Sequence, residues 1–346
     1  MATVGWRDLT QRLEATAQAL GLAPGEVEYI PCHQGELLAL EAYGLPGRFR
    51  HWIFGMRLER LRRQKQQGQL FISELTVGSQ PARIYFCLGL DLPWALALAL
   101  AHGLAHADFI NNHERLGRPE RRRVPALAPV LAAEARRWRM HLGEQPVEDL
   151  LSACLALEHH SHLLGQILEE AQSLEEWEQS LARGVWAELQ YLEAERETWW
   201  LNEGWALHWQ GKICQETFGL GQMPALASGP GWENYRWAAE IAQRARERLG
   251  EEGYLRLCRQ GDDSQILALT ARGKPACPPA IQIADTNYRS CGYLYLQHRW
   301  TGRPLDLRLL PYTLEHIHYL WRRRVYLETW VERAGHLICR QFCYPE

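Results

Sequence analysis

A mainly α-helical fold with a small β-hairpin, followed by a small α+β module at the C-terminal end, is predicted by three observations. The stretch 91–112, DLPWALALALAHGLAHADFINN, is after Pro93 an almost unbroken run of Ala and Leu without a polar stripe. That composition predicts a helix buried on nearly every side. Beyond it, helical periodicity continues almost to Leu249, with breaks near Gly143–Pro146 and at 219–231. From about residue 271 the composition changes: IQIADTNY, GYLYLQHRW and VYLETWVE read as strands, with one helix over 307–321 before the third. Two domains are therefore expected, a mainly helical core over 1–270 and an α+β module over 271–346.

Taken in order, residues 6–20 form a capped amphipathic helix, followed by an extended piece at Val27–Ile30. Glu36–Tyr43 is a short helix that Gly44 can end in a left-handed cap. GRFRHWIFGMRLERLRRQKQQ runs from a loop into a basic amphipathic helix, whose charges read as a solvated face. Leu70–Val77 and Ala82–Leu88 have strand composition, and Gly78-Ser79-Gln80-Pro81 joins them as a hairpin. The basic, proline-flanked segment Arg115–Val124 is read as a loop, and a Thr-Gly-Arg-Pro turn is expected after the second C-terminal strand. Cys339 and Cys343 would share a helix face in a packing role.

Composition excludes several classes. With 346 residues, 47% hydrophobic and 23% charged, the chain has the balance of an ordinary globular protein. A net charge of −3 gives no electrostatic case for nucleic acid or anionic lipid. The apolar run over 92–107 is interrupted by histidines and too short to span a bilayer, so no integral membrane protein is expected. The first residues lack the basic-then-apolar pattern of a signal peptide. Nine cysteines without a C-x-x-C argue for reduced thiols and a cytoplasmic location.

The chemistry centres on His102 and His106, four residues apart and therefore stacked on one face of the apolar helix. H-x-x-x-H on a helix is the two-ligand half of many zinc sites; the alternative is a core pair satisfied by carbonyls, carboxylates or water. A third ligand is offered by Glu203 in TWWLNEGWALHW, which resembles the N-E-G-[FW]-A segment of gluzincin aminopeptidases, where that Glu binds zinc. Two His and one Glu with an open position are the ligands of a catalytic zinc, on what would be a zincin-like helical core. Two departures stand against the analogy. The general base of H-E-x-x-H is replaced by Gly103, and Glu203 lies almost a hundred residues downstream.

A base must then come from elsewhere. Glu158 is the first candidate, since Leu151, Cys154, Leu155 and Glu158 fall on one helical face; Glu74, in ISELTVGS, is the second. His159, His160 and His162 spread around their helix and read as surface residues. Glu315 and His318 have E-x-x-H spacing but read as surface or packing residues in the small module.

The segments FRHWIFG, SELTVGSQP, AHGLAHADFINN, ACLALEH and LNEGWALHW, in this order, resemble the SpoVR (stage V sporulation protein R) family. DTNYRSCGYLYLQHRWTGRPLD, TLEHIHYLW and VYLET are similar to its C-terminal part. The chain is a short version, trimmed between Gly219 and Pro279, with a less polar Gly89-Leu90 before Asp91 and Trp-Ile-Phe-Gly where Trp-Ser-Phe-Gly is usual. The resemblance implies a link to sporulation and cortex or envelope maturation, with a serine protein kinase and a von Willebrand-type protein encoded nearby as partners. It brings no settled reaction. The residues lead to a metal-dependent hydrolase of an amide bond, with peptidoglycan as the suggested substrate. His102, His106 and Glu203 would hold one divalent ion, most simply Zn2+, and Glu158 or Glu74 would act as base. His51, Asn111, Asn112 and His208 would orient ligands or substrate. The alternative is a non-catalytic cytoplasmic factor acting with the kinase, its buried cluster structural. A dinuclear enzyme using Glu158 and Glu203 as ligands is a third reading.

Overall fold

The computed structural model describes residues 5–345 apart from 89, 91–92, 172, 220–232, 271–279, 301–303 and 334–335. The expected break at 219–231, the trimmed stretch before Pro279 and the Thr-Gly-Arg turn residues fall largely outside the described residues. The helices are α1 (Trp6–Ala19), α2 (Gln34–Tyr43), α3 (Trp52–Gln66), α4 (Pro93–Asn112), α5 (Pro119–Leu142), α6 (Glu144–Leu155), α7 (Ser161–Glu170) and α8 (Glu176–Arg196). They continue as α9 (Trp199–Phe218), α10 (Glu233–Gln260), α11 (Asp263–Leu269) and α12 (Leu310–Trp321). The strands are β1 (Val27–Cys32), β2 (Glu74–Val77), β3 (Ala82–Cys87), β4 (Ala280–Tyr288), β5 (Tyr293–Arg299), β6 (Val325–Arg333) and β7 (His336–Tyr344). No helix among the described residues is long and apolar enough to cross a membrane. The fold is mainly α with a C-terminal α+β region.

The chain forms two compact units, one of Met1–Ala128 with Ala194–Lys274, the other of Pro129–Glu193 with Pro275–Glu346. The composition change near 271 lies close to the Lys274 junction. Residues 129–193, however, group with the C-terminal strands rather than with the helices that precede them.

In the first unit α4 is the central element. From Leu100 to Ile110 every residue is buried, as its Ala/Leu composition requires. Its apolar faces meet Leu9 and Leu13 of α1, Ile84 and Phe86 of β3, and Leu201, Trp205 and Ile213 of α9 in one hydrophobic cluster. The sheet order is β1-β3-β2. β1 runs parallel to β3, from Val27↔Ala82 to Cys32↔Cys87, and β2 runs antiparallel, with Glu74↔Phe86 and Thr76↔Ile84. Directly opposed residues share a sheet face. Glu74 and Thr76 therefore lie on the face that Ile84 and Phe86 bury. Gly44 ends α2 in the left-handed conformation (φ 77°), as expected.

The second unit contains the sheet β4-β5-β6-β7, in which β5 and β6 are parallel and joined through α12. Its helices are tied to that module directly. His162 Nε2 lies 3.0 Å from Ile281 O, and Glu178 accepts from Tyr319 OH at 3.2 Å and from Arg322.

Four expectations are corrected. Arg115–Val124 is a loop only to Arg118, because Pro119 takes the first helical position of α5, where proline's missing N–H costs nothing. α10 runs beyond Leu249 to Gln260, with a kink at Gly250 (φ 69°) that only glycine adopts readily. Cys339 and Cys343 lie on β7, not a helix. Strand and helix spacing are both compatible with HLICRQFCY, and pairing along β6 from Val325↔Tyr344 to Arg333↔His336 decides the matter. Glu158 lies beyond the end of α6 at Leu155, in the turn before α7.

Candidate metal centre

Helical spacing brings the imidazoles of His102 and His106 edge to face, with ring centroids 4.5 Å apart and planes at 86°, on a buried face of α4. The side chain of each is 9% exposed. α9 lies alongside and answers both rings. His102 Nδ1 donates to Gln210 Oε1 at 2.9 Å, and His106 Nδ1 donates to Asn202 Oδ1 at 2.8 Å. Since a carboxamide oxygen only accepts, the proton of each neutral ring is fixed on Nδ1 and the Nε2 lone pair is left free.

Those two Nε2 atoms face carboxylates. Glu203 Oε2 lies 3.4 Å from His102 Nε2, and Glu203 Oε1 lies 3.7 Å from His106 Nε2. From the sheet side, Glu74 Oε1 lies 3.9 Å from His102 Nε2. One ligand atom from each of Glu74, His102 and His106 falls within a 4.8 Å group. Glu203 Oε2 is buried and accepts no hydrogen bond. Imidazole lone pairs set against carboxylate lone pairs repel unless a cation or proton stands between them.

The electrostatics follow from this crowding. Burial opposes a proton on His102, but the closeness and charge of Glu203, with Glu74 behind it, outweigh it and raise its pKa. Burial, then the neighbouring His102, push His106 down to about 4. Burial raises Glu74 to about 7 against the pull of His102. Glu203 meets the same burial, yet His106 and His102 hold it below the ordinary carboxylate range. The cluster thus favours positive charge at His102 Nε2, where the two carboxylates approach it. Two imidazole nitrogens with a carboxylate form a donor set of the zinc type, and the orphaned Glu203 oxygen fits a cation at that point.

Gly103 explains the missing glutamate of H-E-x-x-H. A Cβ there would stand 2.6 Å from Ile84 Cγ2 and 3.2 Å from Thr76 Oγ1. The sheet packs where that side chain would project, and the same sheet supplies Glu74 instead. Thr76 Oγ1 links the two, bonding to Glu74 Oε2 at 3.3 Å and to Gly103 O at 3.4 Å.

Four residues unnoticed in the sequence belong to this centre. Asn202 and Gln210 are placed beside and two helical turns beyond Glu203; that spacing on one buried helix is the signal that identifies them. Tyr235 of α10 has its ring 6.4 Å from His102, and burial followed by Glu203, Glu74 and Glu41 raises its phenol. Glu41 of α2 is exposed to solvent, yet its carboxyl is pushed up by dense protein surroundings and then by Glu203.

The other expected residues make contacts of their own. Asn111 Nδ2 donates to Pro24 O, and Asn112 Nδ2 donates to Ala23 O at 2.9 Å, so both anchor the loop before β1. Beside them, fully buried Asp108 accepts from Ala23 N, Trp205 Nε1 and Arg259. His51 caps α3, its Nδ1 accepting from Ile53 N at 3.3 Å. His208 accepts at Nδ1 from Arg246 Nη1, and burial, then Arg246 and Lys212, push it down to about 3. Glu158 belongs to the second unit, 3.5 Å from His159. Of the surface histidines, His159 is exposed, whereas His160 is half-buried and pushed by burial and its neighbours to about 4. Glu315 accepts from Tyr344 OH on the α12 surface.

Comparison with known families places two segments. Residues 5–166 match the family model described as SpoVR like protein, and residues 279–332 match the SpoVR-like C-terminal domain. No curated protein and no solved structure matches the chain. Glu41, Glu74, His102 and His106 lie within the first matched segment, and Asn202, Glu203, Gln210 and Tyr235 lie between the two. With both models matched in the order in which the motifs occur, the chain belongs to the SpoVR-like family.

Proposed function

We propose that the first unit is a divalent-metal-dependent hydrolase of an amide bond. The observation that carries this reading is the pair of free Nε2 lone pairs, fixed by Gln210 and Asn202, facing a buried Glu203 oxygen that lacks any donor. His102, His106 and Glu203 would hold the ion, with zinc the choice by donor type. Such an ion supplies an acidified water and a polarised carbonyl.

The remaining steps belong to the chain. Glu74, raised to about 7, takes the proton of the attacking water as its oxygen bonds to the carbonyl carbon. It returns that proton to the leaving nitrogen as the C–N bond breaks, so one water yields one acid and one amine. Tyr235, kept protonated by its surroundings, donates a hydrogen bond to the developing oxyanion. Glu158 has no part in this scheme. The base role passes to Glu74, the carboxylate beside His102.

Peptidoglycan stem or precursor amides fit both the bond type and the family's envelope connection. A cytoplasmic location agrees with the eight described cysteines, all free thiols, and favours a precursor. A serine protein kinase and a von Willebrand-type protein are proposed as partners on family resemblance alone. The second reading, a non-catalytic factor, is favoured by one observation: Glu203 and Glu74 lie 3.4 and 3.9 Å from His102 Nε2 and favour positive charge there, which offsets their own without a metal.

Elemental mass spectrometry on untagged protein separates the two. About one equivalent of divalent metal is expected in the wild type, lost in His102→Ala, His106→Ala and Glu203→Ala. Glu74→Gln is expected to keep the metal and lose amide hydrolysis. A wild type that holds no metal and takes up none on reconstitution refutes the hydrolase and leaves the structural reading.

A further inference from the structure

We propose that the open edge of the C-terminal sheet is a self-association surface, on which β7 pairs antiparallel with β7 of a second copy of this chain about a two-fold axis at Cys339. This edge belongs to the second unit, and its pairing needs no metal. The order β4-β5-β6-β7 leaves two edge strands, and the chain treats them differently. β4 is irregular. Its register to β5 shifts between Ile283 and Asp285 and again between Asp285 and Tyr288, and Ile281 O accepts from His162 Nε2 at 3.0 Å. Bulges and side-chain cover of this kind keep an edge from templating a further strand. β7 has neither. It follows β6 without a shift from Val325↔Tyr344 to Arg333↔His336, and its sequence HLICRQFCY holds no proline and one formal charge, Arg340. A flat edge of this kind offers a row of unpaired N–H and C=O groups.

The apolar side chains near that edge are uncovered. Among the described residues β5 pairs with β6 only from Leu294↔Val325 to Gln297↔Glu328, so from Thr329↔Arg340 onward β6 and β7 run as a two-stranded ribbon. α12 meets β7 at Tyr344, whose hydroxyl donates to Glu315 and whose ring centroid lies 5.4 Å from that of His318. His336 to Gln341 are exposed throughout, Leu337 at 45% and Ile338 at 41%. A two-stranded ribbon is marginal in water by itself, whereas two ribbons joined edge to edge make four strands.

Charge selects the occupant and the register. A two-fold axis perpendicular to the sheet sets residues of one face opposite one another. Centred on Arg340, it would set the two guanidinium groups against each other, and like charges directly opposed are destabilising. Centred on Gln341, it would draw in Tyr344, which α12 already holds. Centred on Cys339, it pairs His336–Phe342 with the same stretch of the second copy. Leu337 then meets Gln341, Ile338 meets the aliphatic stem of Arg340, and the two Cys339 thiols meet at the axis. No like charges are opposed. The strand is therefore its own complement, and an isologous pairing closes at two copies and leaves no open β7 edge.

Sedimentation equilibrium of the full chain under reducing conditions reads the association. The stretch His336–Phe342 on each side makes an interface at the small end of the specific range, so a dissociation constant of about 10 µM is expected. Ile338→Lys sets a cation against Arg340 of the partner subunit, twice per dimer, and should weaken association about tenfold or more. Ile338→Glu sets a carboxylate at the same place and should stay within about threefold of the wild type. Both variants should keep the wild-type circular dichroism, because residue 338 faces solvent in the single chain. A short bis-maleimide should link two wild-type chains and fail to link Cys339→Ser. A wild type that stays monomeric at about 100 µM, or that grows beyond a dimer, overturns the proposal. Equal weakening by the lysine and glutamate variants overturns it as well, as does cross-linking that Cys339→Ser leaves intact.

Discussion

Gly103 is the position at which the architecture and the expected zinc motif disagree, and replacing it tests why. In Gly103→Ala the new methyl carbon would lie 2.6 Å from Ile84 Cγ2 and 3.1 Å from Ile84 Cδ1. Ile84 is wholly buried in the strand between β1 and β2 and has nowhere to retreat. Overpacking of this kind costs about 1–3 kcal/mol, whereas exchanging glycine for alanine within a helix returns about 1 kcal/mol. The net expectation is a loss of roughly 0–2 kcal/mol. Ile84→Ala alone should cost about 2–5 kcal/mol through its cavity. In the double variant the alanine methyl at 103 occupies part of that cavity, so the two losses should fall short of additivity by about 1–2 kcal/mol. Urea unfolding followed by tryptophan fluorescence reads all four proteins, Trp205 being buried in the same cluster. Gly103→Glu, which restores the letters H-E-x-x-H, should yield protein that no longer holds metal, because its carboxylate is driven into the sheet. A Gly103→Ala protein more stable than wild type, strict additivity with Ile84→Ala, or a folded and metal-loaded Gly103→Glu would each refute the steric account.

Three further outcomes are expected. Gln210→Ala and Asn202→Ala should each weaken metal binding by about 10–100-fold, read by competition with a chromophoric chelator; unchanged affinity would mean that these amides do not fix the imidazoles. Asp108→Ala removes a fully buried carboxylate that Arg259, Trp205 and the Ala23 backbone share, and should cost about 3–5 kcal/mol in urea unfolding. A loss below about 1 kcal/mol would contradict that burial. His208, held at about 3 against an ordinary 6.5, is neutral in the folded protein while the unfolded chain protonates. Its contribution to stability is therefore full above pH 6.5 and lost as pH falls toward 3, so melting temperature should decline across that window. His208→Gln should flatten the decline, and an unaltered slope would assign it elsewhere.

Local periodicity carries a site only as far as its residues share an element, and this centre marks where that limit falls. His102 and His106 were legible because a single helix fixes their spacing, and Glu203 because a short motif surrounds it. Glu74 was legible as a lone carboxylate in an apolar strand. Glu158 was placed by its helical spacing from Leu151 and Leu155, but the helix stops at Leu155 and the segment groups with the other unit. A chain that leaves one unit at Ala128 and returns at Ala194 leaves no local trace in composition, since the departing helices and the returning ones are built from the same residues. Glu41 was hidden differently. On a short helix with an exposed side, a glutamate reads as a solvated residue, and no local spacing reports its electrostatic reach to Glu203. Gly103 inverts the lesson, because the sequence displays it as a defect in a motif. The packing of α4 on β3 turns that defect into a requirement: a sheet close enough to deliver Glu74 beside His102 leaves no room for a side chain at 103. On this view the glycine and the strand carboxylate are one feature, and a relative with a side chain at the position of Gly103 should also lack the carboxylate at the position of Glu74.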